Sequence, residues 1–344
     1  MSEQRTEIGE LGEFGLIEHL TKNFEIQNAS TIVSVGDDAA VIDHFGKQTV
    51  VTTDLLIEGI HFDLMYTPLK HLGYKAVMVN LSDIYAMNAT PTQVTISIAI
   101  SNRFSVEALD EFYEGIYLAC EKHNVDLVGG DTSSSGKGFI ISVTALGEVS
   151  ADKIVKRSTA QKGDLICVSG DLGGAFLGLT LMEREKKIYL ENPQLQPDLE
   201  NESYIVGRLL KPEARKDIIE FFEKNDIMPT SMMDVSDGIS SEVLHLCKQS
   251  NLGCVIHEEK IPVSEDSRKA AYKFGLDPTV CALNGGEDYE LIFTLRQEDY
   301  DKITLNEEIS VIGYMTDIAD GCKLLTKGGN RFDITAQGWN AFQK

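Results

Sequence analysis

Six segments of this chain carry acidic residues in company that surface acids do not keep. Asp37 and Asp38 stand between Gly36 and the apolar run Ala39 to Ile42. Asp54 closes Val50-Val51-Thr52-Thr53, and Asp83 lies inside the apolar stretch Val77 to Ile84. Asp131 follows Leu127-Val128-Gly129-Gly130. Asp234 and Asp237 flank Val235-Ser236 ahead of Gly238, and Glu287-Asp288 sits between Gly285-Gly286 and Tyr289. A carboxylate tied to an apolar segment is held near the core, where uncompensated burial costs several kcal/mol. One such residue has an ordinary use as a helix cap or turn former, and Asp37, Asp234 and Asp288 are open to that reading. Six segments are harder to explain that way. If they converge, each pair repels by about 4 kcal/mol at ~4 Å and an effective dielectric of ~20. Divalent cations are the natural compensation. The donors are all hard oxygens, carboxylates together with the hydroxyls of Thr52 and Thr53, which suits magnesium and not zinc. Magnesium ions held by carboxylates commonly have phosphates completing their coordination.

The elements that must position these groups alternate between strand and helix. Thr49 to Thr53 reads as a strand and Tyr74 to Met87 as a helix. Gln93 to Ile100 alternates apolar and polar, the pattern of a strand with one wet face. Val106 to His123 has helical spacing, and Phe139 to Leu146 is another strand. Near residue 150 the character changes. Leu165 to Ser169 reads as a strand, and the bend Gly170-Asp171-Leu172-Gly173-Gly174 opens a helix from about Ala175. Glu183 to Tyr204 is polar, carries two prolines and reads as a surface excursion. Pro212 to Lys224 and Ser240 to Gln249 are helical, and Tyr289 to Thr294 is a strand. The pattern predicts two α/β units, 1–150 and 151–344, joined near residues 148–160.

Composition narrows the field. The chain has 344 residues, with 54 acids against 31 bases and a net charge of -23. So acidic a body repels nucleic-acid phosphates and anionic lipid, and an anionic substrate requires cations or local bases to reverse the sign at its site. No run reaches the ~18 apolar residues of a membrane span, and the polar start lacks the order of a signal peptide. Six scattered cysteines without a CxxC pair read as reduced, buried thiols of a cytoplasmic protein. There is no G-x-x-x-x-G-K-[ST], no G-x-G-x-x-G after a strand, no H-R-D or D-F-G set and no HExxH. P-loop enzymes, Rossmann dehydrogenases, protein kinases and zincins are thereby set aside.

Taken in series, the blocks resemble the thiamine-monophosphate kinase family. They are Gly36-Asp37-Asp38-Ala39-Ala40, Thr52-Thr53-Asp54 with His61-Phe62, Asn80-Leu81-Ser82-Asp83-Ile84 with Ala86-Met87, and Gly129-Gly130-Asp131-Thr132. Then come Lys156-Arg157-Ser158, Asp234-Val235-Ser236-Asp237-Gly238 and Gly285-Gly286-Glu287-Asp288-Tyr289-Glu290. Each is weakly specific alone. Together, spanning about Gly12 to Trp339, they are specific for the superfamily that also holds aminoimidazole ribonucleotide synthetase, selenophosphate synthetase and a hydrogenase-maturation protein. The resemblance implies an α/β (α+β) fold of two domains. The N-terminal domain would bind ATP and magnesium and pair its sheet with a twin across a homodimer, and the C-terminal α/β layer would complete the nucleotide and substrate site.

The implied reaction is ATP plus thiamine monophosphate giving ADP plus thiamine diphosphate, with several Mg2+ ions. Carried over by motif, the metal ligands would be Asp38, Thr52, Thr53, Asp54, Asp83, Asp131, Asp234 and Asp237. Tyr113, Gly130, Asp131, Arg157 and Ser236 would hold ATP, and His61, Glu287 and Trp339 the thiamine phosphate. Arg157, Asp54 and Asp131 would act electrostatically, with no general base. Each has a plainer alternative: a surface arginine for Arg157, a satisfied half-buried histidine for His61, a docking aromatic for Trp339. The chain departs from the pattern at Asn88, where many relatives have glycine, and in the long Glu183 to Tyr204 stretch. The acceptor is a phosphate monoester with a second pKa of about 6, already deprotonated at neutral pH, so direct in-line transfer needs positioning and charge neutralisation above all. Other readings are another ATP-dependent synthase or maturation factor of the superfamily, a non-catalytic magnesium-nucleotide binder, and a two-metal phosphohydrolase. The missing terminal cysteine and the absence of a cysteine before Cys120 speak against the maturation and selenophosphate readings.

Overall fold

The computed structural model describes residues 19–33, 41–43 and 45–336. Asp38 and Trp339 lie outside the described residues. The chain divides into two compact units: one ends at Asp152, and the other takes in Lys153 onward together with Ala86–Asn88.

The first unit contains β1 (Thr31–Val33), β2 (Val41–Ile42), β3 (Gln48–Ile57), α1 (Leu69–Ala86), β4 (Thr90–Ile100), α2 (Val106–His123), β5 (Asp126–Ser134) and β6 (Ile140–Val149). Its main sheet has the order β3-β6-β4-β5. Only the β4–β5 pair is parallel, and the connection between them runs through α2. Along β6, buried Ile141, Val143 and Ala145 alternate with half-buried Ser142 and Thr144, so one face packs and the other is wet. The packed face meets α1, where Ile84 lies against Gly147. The open face leaves Val51 and Leu55 exposed. α1 is buried nearly all round, from Leu72 to Ile84, which leaves it without a polar stripe to mark its start, and it begins five residues before Tyr74. α1 and α2 cross where each has a glycine: a Cβ on Gly73 would lie 1.9 Å from the Phe112 carbonyl oxygen, and one on Gly115 1.9 Å from that of Lys70.

The second unit runs β7 (Leu165–Ser169), α3 (Gly174–Glu191), α4 (Ser203–Leu210), α5 (Lys216–Lys224), β8 (Ser231–Asp234), α6 (Ile239–Ser250), β9 (Leu252–His257), α7 (Glu265–Lys273), α8 (Pro278–Asn284), β10 (Leu291–Leu295), α9 (Tyr300–Ile303), β11 (Ile309–Asp317), β12 (Cys322–Leu325) and β13 (Arg331–Asp333). These strands form one sheet of order β13-β12-β9-β11-β7-β10-β8. Both faces are covered. Ile166, Val168 and Ile292 pack on one side with Val243 and Leu246 of α6, while Cys167, Leu291 and Phe293 pack on the other with Ile218 and Phe222 of α5. Burial on both faces explains why these strands read as unbroken apolar runs. The surface excursion expected over Glu183 to Tyr204 shrinks at both ends: helix α3 continues to Glu191, and α4 opens at Ser203. Glu185 is buried and accepts the Asp198 amide at 2.9 Å, so the intervening turn is fastened to the helix.

Candidate active site

In the first unit β3 does not stop at Thr53. It continues to Ile57, and Asp54 stands in mid-strand, opposite Val143 of β6. Alternation turns Thr52, Asp54 and Leu56 toward the helical face, where α1 brings Asp83. Thr52 Oγ1 donates to Asp83 Oδ2 at 2.5 Å. Asn80, fully buried one helical turn before Asp83, accepts the Asp54 amide on Oδ1 at 3.0 Å and donates through Nδ2 to the Ala76 carbonyl at 3.0 Å. It thereby fixes the strand to the helix at the acid. Burial pushes Asp54 up to about 6, and the neighbouring charge of Asp83 adds to the shift. Both effects penalise the anion. A carboxylate desolvated beside a second carboxylate, with the Thr52 hydroxyl at hand, is the donor set a hard divalent cation requires, so the residues fit magnesium.

The other predicted ligands of this unit are dispersed. Thr53 faces the open side of the sheet, donating to the Val143 carbonyl at 2.9 Å and accepting from Thr144 Oγ1 at 3.1 Å. Asp131 is exposed on β5 and pairs with Ser97, in the row next to Asp54. Three strand spacings separate β3 from β5, about 14 Å, and Asp131 shares the open face with Ser97. Asp54 and Asp131 of one chain are therefore too far apart to ligate the same ion. Gly130 is obligatory: a Cβ there would lie 1.9 Å from the Ile96 carbonyl oxygen. His61 Nδ1 accepts the Ile57 amide at 3.0 Å, which leaves the proton of a neutral ring on Nε2. Tyr113 is buried in α2 against Phe112 and Tyr117, and burial raises its phenol above the ordinary range.

In the second unit a different set of acids gathers. β8 ends at buried Asp234, and the Ser236–Gly238 turn leads into α6. Asp237 is raised, first by burial and also by the charge of Glu287, against the pull of His245 and a hydrogen bond from Ser236. The Glu287 amide donates to the Ser236 carbonyl at 2.7 Å and the Tyr289 amide to that of Val235 at 2.9 Å. Asp237 and Glu287 therefore meet because two loops zip together, with Glu287 and Tyr289 both at positive φ. Glu242, absent from the expected set, completes the group. It is buried, its Oε1 accepts the Asp237 amide at 2.9 Å, and its Oε2 has no hydrogen-bond partner among the described residues. Burial, then the charges of Asp237 and Asp234, push it up to about 8 despite two backbone amides. In sequence Glu242 is one more polar residue of an amphipathic helix, and only the fold reveals its burial.

Asp288 and Glu290 have another role. Asp288 caps α3, accepting the amides of Gly173 at 2.7 Å and Ala175 at 3.3 Å. Burial raises it to about 7 against the pull of Arg208 and those amides. Glu290 is buried between Arg208, at 2.8 Å, and Arg215, and it accepts from Ser169 Oγ at 2.6 Å. The structure adopts the capping alternative for Asp288. Arg157 is half-buried, and its carbonyl accepts from Ser231 Oγ at 3.2 Å and Ser250 Oγ at 3.1 Å. Among the described residues no carboxylate pairs with its guanidinium, which leaves the fork available for an anion. Asn88 adopts φ 56° and donates through Nδ2 to the Lys153 carbonyl at 2.8 Å, so the turn survives without glycine.

Residues 36–149 match the family described as AIR synthase related protein, N-terminal domain. The thiamine-monophosphate kinase of Aquifex aeolicus is 35% identical over 324 residues, covering 94% of this chain and 99% of that protein. This chain belongs to the thiamine-monophosphate kinase family. The solved thiamine-monophosphate kinase of Stenotrophomonas maltophilia superposes with a TM-score of 0.77 at 29% identity, covering 93% of this chain and 95% of that one. A second solved structure, AaThiL complexed with AMPPCP and TMP, gives a TM-score of 0.74 at 32% identity over 99% of this chain and 100% of that one. The α+β architecture of the family is the fold described above.

Proposed function

We propose that this family member transfers the γ-phosphoryl group of ATP directly to the phosphate of thiamine monophosphate, giving thiamine diphosphate and ADP. The reading rests on one observation above the rest: near-complete coverage of relatives named thiamine-monophosphate kinase at 30–35% identity. A complex of one relative with AMPPCP and TMP supports a nucleoside triphosphate and a phosphorylated acceptor as the two substrates.

Two anions must be brought together inside a chain of net charge -23. Magnesium, when bound, would neutralise phosphate charge. Thr52, Asp54 and Asp83 would hold ions in the first unit and Asp234 and Asp237 in the second, with Asp38, Thr53 and Asp131 as further ligands by motif, Asp131 for a different ion from Asp54. Gly130 lets backbone approach the nucleotide where a side chain has no room, and Arg157 offers a bidentate fork to its phosphates. Asp131, Ser236 and Tyr113 complete the nucleotide contacts. His61, Glu287 and Trp339 are assigned to the thiamine phosphate. With the acceptor already ionised, no protein group removes a proton, and no phosphoenzyme forms. The protein acts in the cytoplasm, where its free cysteines stay reduced. It works as a homodimer through the open sheet face that exposes Val51 and Leu55.

The test is purified protein with ATP, magnesium and thiamine monophosphate, the product identified by mass and each component omitted in turn. Thiamine diphosphate forming only in the complete mixture is expected. ATP turnover that ignores the acceptor overturns the proposal. A protein that keeps label from γ-labelled ATP after a chase overturns direct transfer.

A further inference from the structure

Three of the six cysteines, far apart in sequence, meet in the second unit. Cys247 lies in the last turns of α6, Cys254 on β9 and Cys322 on β12, and their sulfurs all lie within 4.8 Å of one another. The topology imposes the meeting. β9 and β12 run parallel with Cys254 and Cys322 directly paired, so the two side chains share a face, and α6 returns over that face through the turn at Asn251. Cys247 and Cys254 are buried, whereas Cys322 is half-buried and opens the group to solvent. None of the three is in a disulfide.

We propose that Cys247, Cys254 and Cys322 form a trithiolate site for one thiophilic d10 cation, entered past Cys322. Tetrahedral zinc with sulfur ligands at about 2.3 Å places those sulfurs somewhat under 4 Å apart, so small rotamer adjustments close the observed group around an ion. Soft thiolates select Zn2+ or Cu+ over the hard cations suited to the carboxylate clusters. Zinc would take a water in the open fourth position, and Cu+ would sit in the trigonal plane. Binding displaces protons: M2+ plus three thiols gives the tris-thiolate complex and three H+, and Cu+ follows the same balance with one positive charge fewer. The ion would tie the C-terminal end of α6 to two strands of the sheet, which is structural work independent of the kinase reading.

The plainer account is three small apolar side chains packed in the core, since Cys247 and Cys254 belong to an apolar cluster and a free cysteine packs as a small hydrophobe. The two accounts separate by metal binding. The full chain, reduced and stripped of metal, is titrated with Co2+ and followed by thiolate-to-cobalt charge-transfer absorption. Zn2+ loading is read by native mass, and Cu+ by competition with bicinchoninate. One ion per chain is expected, bound at least about 100-fold more weakly in Cys322→Ser and in Cys254→Ala. Cys281→Ser, whose thiol lies outside the group, retains wild-type affinity. A raised unfolding midpoint for the loaded wild type is also expected. The proposal is overturned if the wild type shows no thiolate-to-metal band and no stoichiometric binding, or if the two cysteine variants bind as the wild type does. Should neither variant fold, the charge-transfer band of the wild type decides alone, since it requires sulfur ligation.

Discussion

Replacing Asp54 by Asn should make the metal-free protein more stable while abolishing its proposed chemistry. Burial and the nearby Asp83 raise the Asp54 carboxyl from 3.8 to about 6. The folded state therefore holds a proton that the unfolded chain releases earlier. As pH rises through the window between those two values, the unfolded chain binds fewer protons than the folded one, and stability falls. Two pKa units correspond to about 3 kcal/mol of stability, fully present below pH 3.8 and fully lost above pH 6. Asn carries no charge at any pH and escapes this loss. The Asp54 amide keeps its bond to Asn80, because that contact is made by backbone. In chelator at pH 8, Asp54→Asn should thus gain roughly 1–3 kcal/mol over the wild type, read as a higher urea midpoint at unchanged slope. The gap should close as pH falls toward 4. Magnesium should then reverse the ranking, stabilising the wild type by mass action and the variant little, and turnover in the variant should drop severely. A variant less stable than the wild type in chelator at pH 8, or a wild-type stability with no decline between pH 4 and 6, refutes the reasoning.

Other substitutions probe the framework. Arg208→Met strips one of the two arginines from buried Glu290 and removes the cation facing Asp288, so urea unfolding should show a loss of about 3 kcal/mol or more. Gly130→Ala must push β5 away from β4 to relieve the 1.9 Å approach to the Ile96 carbonyl. A destabilisation of about 1–3 kcal/mol and weakened ATP binding by calorimetry are expected. Asn88→Ala, forced to keep φ near 56° without its bond to Lys153, should lose about 1–2 kcal/mol by thermal denaturation, whereas Asn88→Gly should lose less.

Where pattern and burial coincide, the sequence suffices. Val106 to His123 is the observed span of α2, because an apolar stripe runs between a Ser105 cap and a left-handed Asn124. Leu165 to Ser169 is likewise the observed span of β7. Where burial is uniform or a residue is out of character, the sequence misleads. α1 starts earlier than its composition suggests because it has no wet face to set a period. β3 runs past Asp54 because an aspartate, a poor strand former, looks like a stop. Asp54, Asp83 and the threonines stand out because their neighbours are apolar. The buried charges of the second unit do not. Glu290 meets Arg208 and Arg215 across 82 and 75 residues, and Glu242 carries no local mark of its burial.

Compensation sorts the buried acids by role more cleanly than motif does. Glu290 has two arginines and a serine hydroxyl, and Asp288 has a helix N-terminus and an arginine. The fold supplies these partners itself, and such carboxylates hold loops in place. Among the described residues, burial and a like charge act on Asp54 with no cation to offset them, and the orphan oxygen of Glu242 faces the same conflict beside Asp234 and Asp237. A stable protein has no internal reason to keep such groups, since an uncharged isostere relieves the desolvation cost. A positive charge from outside the chain, as the proposed function requires, would compensate them. The adjacent motif Gly285-Gly286-Glu287-Asp288-Tyr289-Glu290 shows the division within six residues: Glu287 is turned toward the Asp237 cluster, while Asp288 and Glu290 are turned back to α3 and the two arginines.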